Sequence, residues 1–150
     1  MSFIAAALLY HAGEVATFWL LVSLMDKYSL KDIFRQNLPG LAKHERAIEK
    51  LGQTYLKEVF DHFEANDIKI GFLSTDWIMS IFMNYIPLEI SNLFLDKFFR
   101  DKWGIFYRVA ICLLKYYEKK ILVLNDFPSI VGQIKQAREG CEHLLPFTPQ

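Results

Sequence analysis

The four histidines are the first place to look for metal or proton chemistry in this chain. His44-Glu45-x-x-Ile48 approaches the helical zinc-protease motif. There, two histidines four residues apart hold the metal and the glutamate acts as base. Ile48 stands where the second histidine must be, so the motif is incomplete. His44 and His62 fall on one face of a single predicted helix. Their spacing separates them by roughly 27 Å at helical rise, too far for one ion. Both are read as structural.

Nucleophilic and phosphate chemistry fare no better. No Gly-x-Ser-x-Gly elbow occurs, and the adjacent Asp61 and His62 point to different helix faces. No glycine-rich phosphate loop is present. Cys112 and Cys141 are the only cysteines. Two such residues build neither a disulfide framework nor a zinc set, and Cys112, within Ala110-Ile-Cys-Leu-Leu114, reads as a small buried thiol. This usage fits a reducing, cytosolic setting.

Asp96 is the charge that most needs an explanation. It lies in Leu93-Phe-Leu-Asp-Lys-Phe-Phe99, among apolar groups, and a buried carboxylate requires a partner. Arg108, on the next helix, is the expected one, in a structural ion pair. Lys115, Lys119 and Lys120 with Tyr116 and Tyr117 form a basic-aromatic cluster. Glu118 interrupts it, and a solvated helix face accounts for it. Trp19, Trp77 and Trp103 are expected to anchor the core, where large aromatics contribute most.

No constellation therefore asks for a cofactor, and no catalytic, cofactor-binding or metal-ligating residue is assigned. Seventeen basic residues balance 17 acidic ones across 150 residues, without the basic excess that phosphate neutralisation gives nucleic-acid modules. A nucleic-acid partner is not expected. The chain is 53% hydrophobic and 15% aromatic, ample for one packed domain over residues 1–150, with a tail from about 140. The N-terminal apolar run has no Lys or Arg before it, unlike a signal peptide. It ends at His11, short of the roughly 18 apolar residues a transmembrane helix needs.

The elements that must carry these residues are all helical. Ser2 to about Ala12 is nearly apolar all round and so reads as buried on several sides. Gly13 stops it, and Glu14 to Tyr28 follows with its acid in the first turn. A short turn at Lys31–Arg35 leads to the loop Asn37-Leu-Pro-Gly40. Apolar residues then recur at three- and four-residue steps from Leu41 to about Ala65, predicting one long amphipathic helix. A fourth helix is expected over Asp76–Tyr85, capped by Ser74 or Thr75. A fifth opens at Pro87 and runs to about Arg100. Gly104 should separate it from a sixth, Ile105–Leu124, and a seventh spans about 126–139. The prediction is an all-α fold of about seven helices, neighbours packed roughly antiparallel.

In order along this frame stand Met1-Ser-Phe3-Ile-Ala-Ala6, Phe18-Trp19, Leu24-Met25, Leu38-Pro39-Gly40-Leu41, Thr75-Asp-Trp77 with Ile81-Phe82, Pro87-Leu-Glu89 with Asp96, and Arg108-Val-Ala110 with Leu113-Leu-Lys115. Together, over about residues 1–120, they resemble the TBC domain, the GTPase-activating domain that acts on Rab small GTPases. The resemblance is to its C-terminal half. Phe3, Trp19, Pro39, Gly40, Trp77, Phe82, Pro87, Asp96 and Arg108 are the positions that match structural family motifs. Leu93 and Leu95 depart from it, standing where the family usually has Arg and Trp.

The resemblance implies a Rab-type GTPase as partner and a role in vesicle traffic, cytoplasmic and peripheral on endomembranes. It also implies a two-finger mechanism, in which an arginine stabilises charge on the transferring phosphoryl group and the glutamine of a Tyr-x-Gln motif orients the attacking water. Neither Ile-x-x-Asp-x-x-Arg nor Tyr-x-Gln occurs in these 150 residues. The chain is accordingly expected to be inactive alone, a GTPase activator by family and not an enzyme. The alternative is a non-catalytic helical scaffold. The first helix, which packs against the other half of the domain in the family, should leave Phe3, Ile4, Ala7 and Leu8 short of cover, and self-association through it is expected.

Overall fold

The computed structural model describes residues 1–135, and they are helical, with no strand among them. Nine helices form: α1 Ser2–His11, α2 Glu14–Lys27, α3 Lys31–Phe34, α4 Pro39–Tyr55, α5 Lys57–Ala65, α6 Gly71–Ser80, α7 Ser91–Asp101, α8 Trp103–Ile121 and α9 Phe127–Lys135. The expected all-α fold is present. The last part of the seventh predicted helix and the tail lie outside the described residues.

Helix α8 is the centre of the body. It packs against α4, α5, α7 and α9. Its stripe Phe106, Ala110, Leu113, Leu114, Tyr117 and Ile121 is buried, at the three- and four-residue steps of one helix face. At the other extreme, α2 packs closely against α1 alone.

The long predicted helix is two. It bends at Leu56, whose backbone leaves the helical region at φ −137° and ψ 46°. At the bend the Phe60 ring folds back over Gly52, where a Cβ would displace the ring. Periodicity could not show this, because Leu56, Val59, Phe60 and Phe63 stay buried on both sides of the bend.

Helix α6 starts earlier than predicted and ends earlier. Ser74 and Thr75 are not caps. Their hydroxyls donate to the carbonyls of Ile70 and Gly71, four residues back and inside the helix, a local bond such residues make readily. The helix stops in a left-handed reversal at Ile81 and Phe82, φ 49° and 61°. The Phe82 amide donates to the Trp77 carbonyl at 3.0 Å, the long-range bond of a Schellman end. β-branched Ile81 is strained there. Both side chains are fully buried, and that burial offsets the strain.

A 3-10 turn, Leu88–Ile90, intervenes between Pro87 and α7. The α7–α8 break falls at Lys102, φ 55° and ψ −139°, and Gly104 lies inside α8. Gly40 matters for a different reason. A Cβ on it would lie 2.7 Å from the Asp32 backbone carbon, so the start of α4 touches α3 because residue 40 has no side chain.

Candidate functional site

His44 and His62 are tied into the scaffold. His44 is buried on α4. Its ring stacks on Trp103, and its Nδ1 shares a hydrogen bond of 2.6 Å with the Tyr107 hydroxyl. Burial, with Lys43 nearby as a smaller cause, lowers its pKa to about 4. The imidazole is therefore neutral near pH 7. His62, on α5 and not on the helix of His44 as expected, donates from Nε2 to the Leu124 carbonyl at 2.7 Å. It pins α5 to the segment that follows α8. No group of three His, Cys, Asp or Glu able to hold a metal occurs among the described residues.

Trp103 joins this hub to α2. Its Nε1 donates to the Tyr28 carbonyl at 2.9 Å, and the Tyr28 hydroxyl donates to the Phe99 carbonyl at 2.6 Å. Trp77 is completely buried and stacks on Phe82. Trp77 lies on α6 and Phe82 follows its left-handed end, so the two rings meet across the reversal. Trp77 and Trp103 thus serve packing, as expected of them.

Trp19 does not. It is 63% exposed, and Phe18 beside it is 59% exposed. With Val15, 75% exposed, they recur at the three- and four-residue steps of a helix stripe. The core takes the opposite side of α2, through Thr17 and Leu24, so the aromatic pair faces outward. On neighbouring α1, Phe3 and Tyr10 are also about half exposed, at 48% and 57%. Ile4, Ala7 and Leu8, expected to lose cover, are buried, partly because α1 also packs on α7. The His11 Nε2 fastens that contact, donating to the Leu88 carbonyl at 2.7 Å, 3.0 Å from the Ser91 hydroxyl oxygen.

At roughly 150–250 Å² per aromatic side chain, these four rings present on the order of 450 Å². A sum of that size falls within the roughly 300–600 Å² of the largest apolar patch on a typical monomer, which is often functional. The sequence held the signal. Apolar residues of α2, from Val15 to Met25, fall on more than one face of the helix, so one stripe faces away from the core.

The remaining motif positions are structural in different ways. Pro39 is the first residue of α4 and exposed, and Pro87 precedes the 3-10 turn. Asp96 and Arg108 are both exposed, correcting the expected buried pair. Asp96 makes no ion pair among the described residues, and Arg108 acts on Asp101, whose carboxyl is held low chiefly by its hydrogen bond to Arg100. Position 96 points outward because the α7 face buries Ser91, Phe94, Leu95 and Phe98. Of the two departures, Leu93 is exposed and Leu95 buried. Cys112 is exposed, since α8 buries positions 110, 113 and 114 instead.

A cleft of about 730 Å³ lies between α4 and the α5–α6 connection. Glu45, Glu49, Glu64 and Asp67 line it together with Arg46 and Lys69. Thr75 donates to Glu45 at 3.2 Å across one end. Its mixed charges and mostly buried apolar floor define no reaction.

The described residues form an all-helical scaffold with aromatic side chains of α1 and α2 turned outward. The sequence pattern of the Rab-GTPase-TBC domain family matches residues 1–122, and the chain belongs to that family. It is 32% identical over 125 residues to the GTPase activating protein Gyp51 of Schizosaccharomyces pombe, covering 83% of this chain and 12% of Gyp51. It is 27% identical over 124 residues to a Homo sapiens ecotropic viral integration site 5 protein homolog, covering 83% of this chain and 15% of the relative. The crystal structure of a Chlamydomonas flagellar RabGAP TBC domain superimposes with a TM-score of 0.68 at 32% identity, over 84% of this chain and 41% of that one. The chain thus spans a small part of these full-length relatives and less than half of that domain. No helix among the described residues is long and apolar enough to cross a membrane.

Proposed function

We propose that this chain is a part of a Rab GTPase-activating module, supplying GTPase-docking surface and the scaffold that supports the catalytic fingers. The observation that carries this reading is the family match over residues 1–122 on a helical body that retains its hub and core. Residues 1–150 act as one helical unit in this reading, and Phe3, Trp19, Pro39, Gly40, Trp77, Phe82, Pro87, Asp96 and Arg108 are its family-motif positions. The partner is a Rab-type small GTPase in vesicle traffic, through which the chain sits at the cytoplasmic side of endomembranes. Exposed Phe3 and Tyr10 support self-association through the N-terminal helix.

The 150 residues contain neither Ile-x-x-Asp-x-x-Arg nor Tyr-x-Gln. Transition-state charge on the γ-phosphoryl group would have no arginine from this chain, and the attacking water no glutamine. An arginine finger is worth about 10³–10⁵ in kcat in related GTPases. The same absence favours a second reading, a non-catalytic interaction scaffold that keeps the fold. Single-turnover GTP hydrolysis by a panel of Rab proteins, with and without the purified chain, tests the first. Hydrolysis at the intrinsic rate is expected, together with saturable binding to at least one Rab. Stimulation near 10³-fold would overturn the account of the missing fingers. Failure to bind any Rab would favour the scaffold.

A further inference from the structure

We infer that the outward face of α8, with the turn that follows it, makes a direct contact with an anionic lipid surface. The contact needs no GTPase and goes beyond the function proposed above.

Helix periodicity sets the face. Arg108, Cys112, Lys115 and Lys119 recur at steps of four, three and four, and all are exposed. At helical rise they form a straight stripe roughly 16 Å long. Exposed Tyr116 and Lys120 flank it. The stripe is not an apolar face in want of a core. Helix α8 packs on α4, α5, α7 and α9, and its buried stripe lies on the other side. Burying several ammonium groups against more protein would demand a partner for each.

The charge on this face is one-sided. Residues 91–125 hold seven Lys or Arg against three Asp or Glu, whereas residues 1–90 hold eight against eleven. The neutral total thus conceals a basic stretch. The chain itself neutralises little of it. Lys115 meets Glu118 at 2.6 Å. Arg108 acts on Asp101, which is already bonded to Arg100. Lys119 and Lys120 form no ion pair among the described residues. Lys120 lies 5.7 Å from the centre of the Tyr117 ring, which leaves its charge in place. A solvated face needs only mixed charge, and this one is not mixed.

The chemistry suits a bilayer better than a protein or a nucleic acid. Three of the four cations of α8 are Lys, a residue depleted at protein interfaces. Lys is a point charge without the planar fork that reads a defined carboxylate or phosphate. The smeared negative potential of an anionic leaflet asks for no such fit, and four cations on one helix reach the size of cluster that adsorbs to it. Tyr116 and Val123, seven residues apart and both exposed, set an aromatic and an aliphatic tip among the Lys side chains. Such tips settle in the headgroup layer. They add nothing to contact with a phosphate backbone, which binds through charge alone.

Vesicle co-sedimentation of the full chain, with no GTPase present, tests the inference. Vesicles of phosphatidylcholine alone are compared with vesicles that also contain phosphatidylserine. Binding to the mixed vesicles only is expected, and it should weaken as salt rises. Each cation near an anionic leaflet is worth about fivefold in affinity, so Lys115→Gln/Lys119→Gln/Lys120→Gln should bind about 100-fold more weakly. Lys27→Gln/Lys50→Gln/Lys57→Gln, with the same net charge and exposed positions on α2, α4 and α5, should bind as the wild type does. The circular dichroism of both variants should be unchanged. Cys112, in the middle of the stripe, gives a direct readout. A polarity-sensitive dye on it, in a Cys141→Ser chain, should shift to the blue with mixed vesicles and not with neutral ones. No binding to mixed vesicles at low salt would overturn the inference. Equal loss in the two triple variants would reduce it to net charge and overturn the place of α8. Equal binding to neutral vesicles would point to an apolar contact elsewhere and overturn it too. Equal affinity for duplex DNA would make the face a general polyanion site and overturn the choice of lipid. None of these results bears on Rab binding, which is measured separately.

Discussion

The His44 imidazole lies against the Trp103 indole with ring centroids 3.7 Å apart and 27° between the planes. This stack joins α4 to α8, and a neutral ring suits it because burial disfavours the charged one. A cation there would also reorganise the hydrogen bond to Tyr107.

That relationship makes stability depend on pH. The unfolded chain takes up a proton at His44 near the ordinary value of 6.5, and the folded chain only near 4. The contribution is complete above pH 6.5 and declines as pH falls toward 4, by about 1.4 kcal/mol per pH unit. Urea unfolding at intervals from pH 7 to pH 4 should show this slope. The His44 ring resonances, followed by NMR, should stay those of neutral imidazole down to about pH 5. Titration of His44 near pH 6.5 would contradict the buried stack.

Trp77→Ala should destabilise by about 3–5 kcal/mol, the cost of removing a large aromatic from a core. Trp77→Phe should cost clearly less. It keeps a ring against Phe82 and removes an indole N–H that has no hydrogen-bond partner, a group that is expensive to bury. Equal losses in thermal unfolding for the two variants would mean the indole itself is required.

Gly40→Ala should destabilise by about 1–3 kcal/mol through overpacking. The new methyl meets Asp32 backbone, which cannot rotate away as a flexible side chain would. An unchanged melting temperature would show that α3 can shift at no cost.

Thr17→Val should stabilise by about 1 kcal/mol. The Thr17 hydroxyl is buried without a partner, and an isosteric methyl relieves that cost. A loss of stability would mean that the hydroxyl is hydrogen-bonded in solution.

Asp96→Ala should change stability by no more than about 0.5 kcal/mol, as for other exposed positions. The double-mutant cycle with Arg108→Ala should be additive. A coupling above about 1 kcal/mol would restore the pair expected from the sequence.

Helix order was legible because apolar residues recur at helical steps; helix number was not, since the expected long third helix is two. The places where the reading failed have physical causes. Asp96 sits between apolar neighbours in sequence, but successive helix residues point 100° apart, so adjacency says little about burial. Trp19 failed because α2 is apolar on both sides, and composition cannot say which side meets the core. The bend at Leu56 depends on Phe60 reaching back to Gly52, a contact between two side positions that no periodicity records. The same gap hid the outward aromatic surface, which becomes visible only once α2 is seen to have one close neighbour.

The plug of Phe60 over Gly52 also has a consequence for dimensions. A straight helix from Pro39 to Ala65 would be about 40 Å long. A globule of this chain length has a radius of gyration of about 15 Å and hence a width of the same order as that rod. An unbent rod would reach from one side of such a body to the other. By turning the chain at Leu56, one missing methylene and one ring bring His62 back within reach of the Leu124 carbonyl, and so set where the perimeter of the molecule closes.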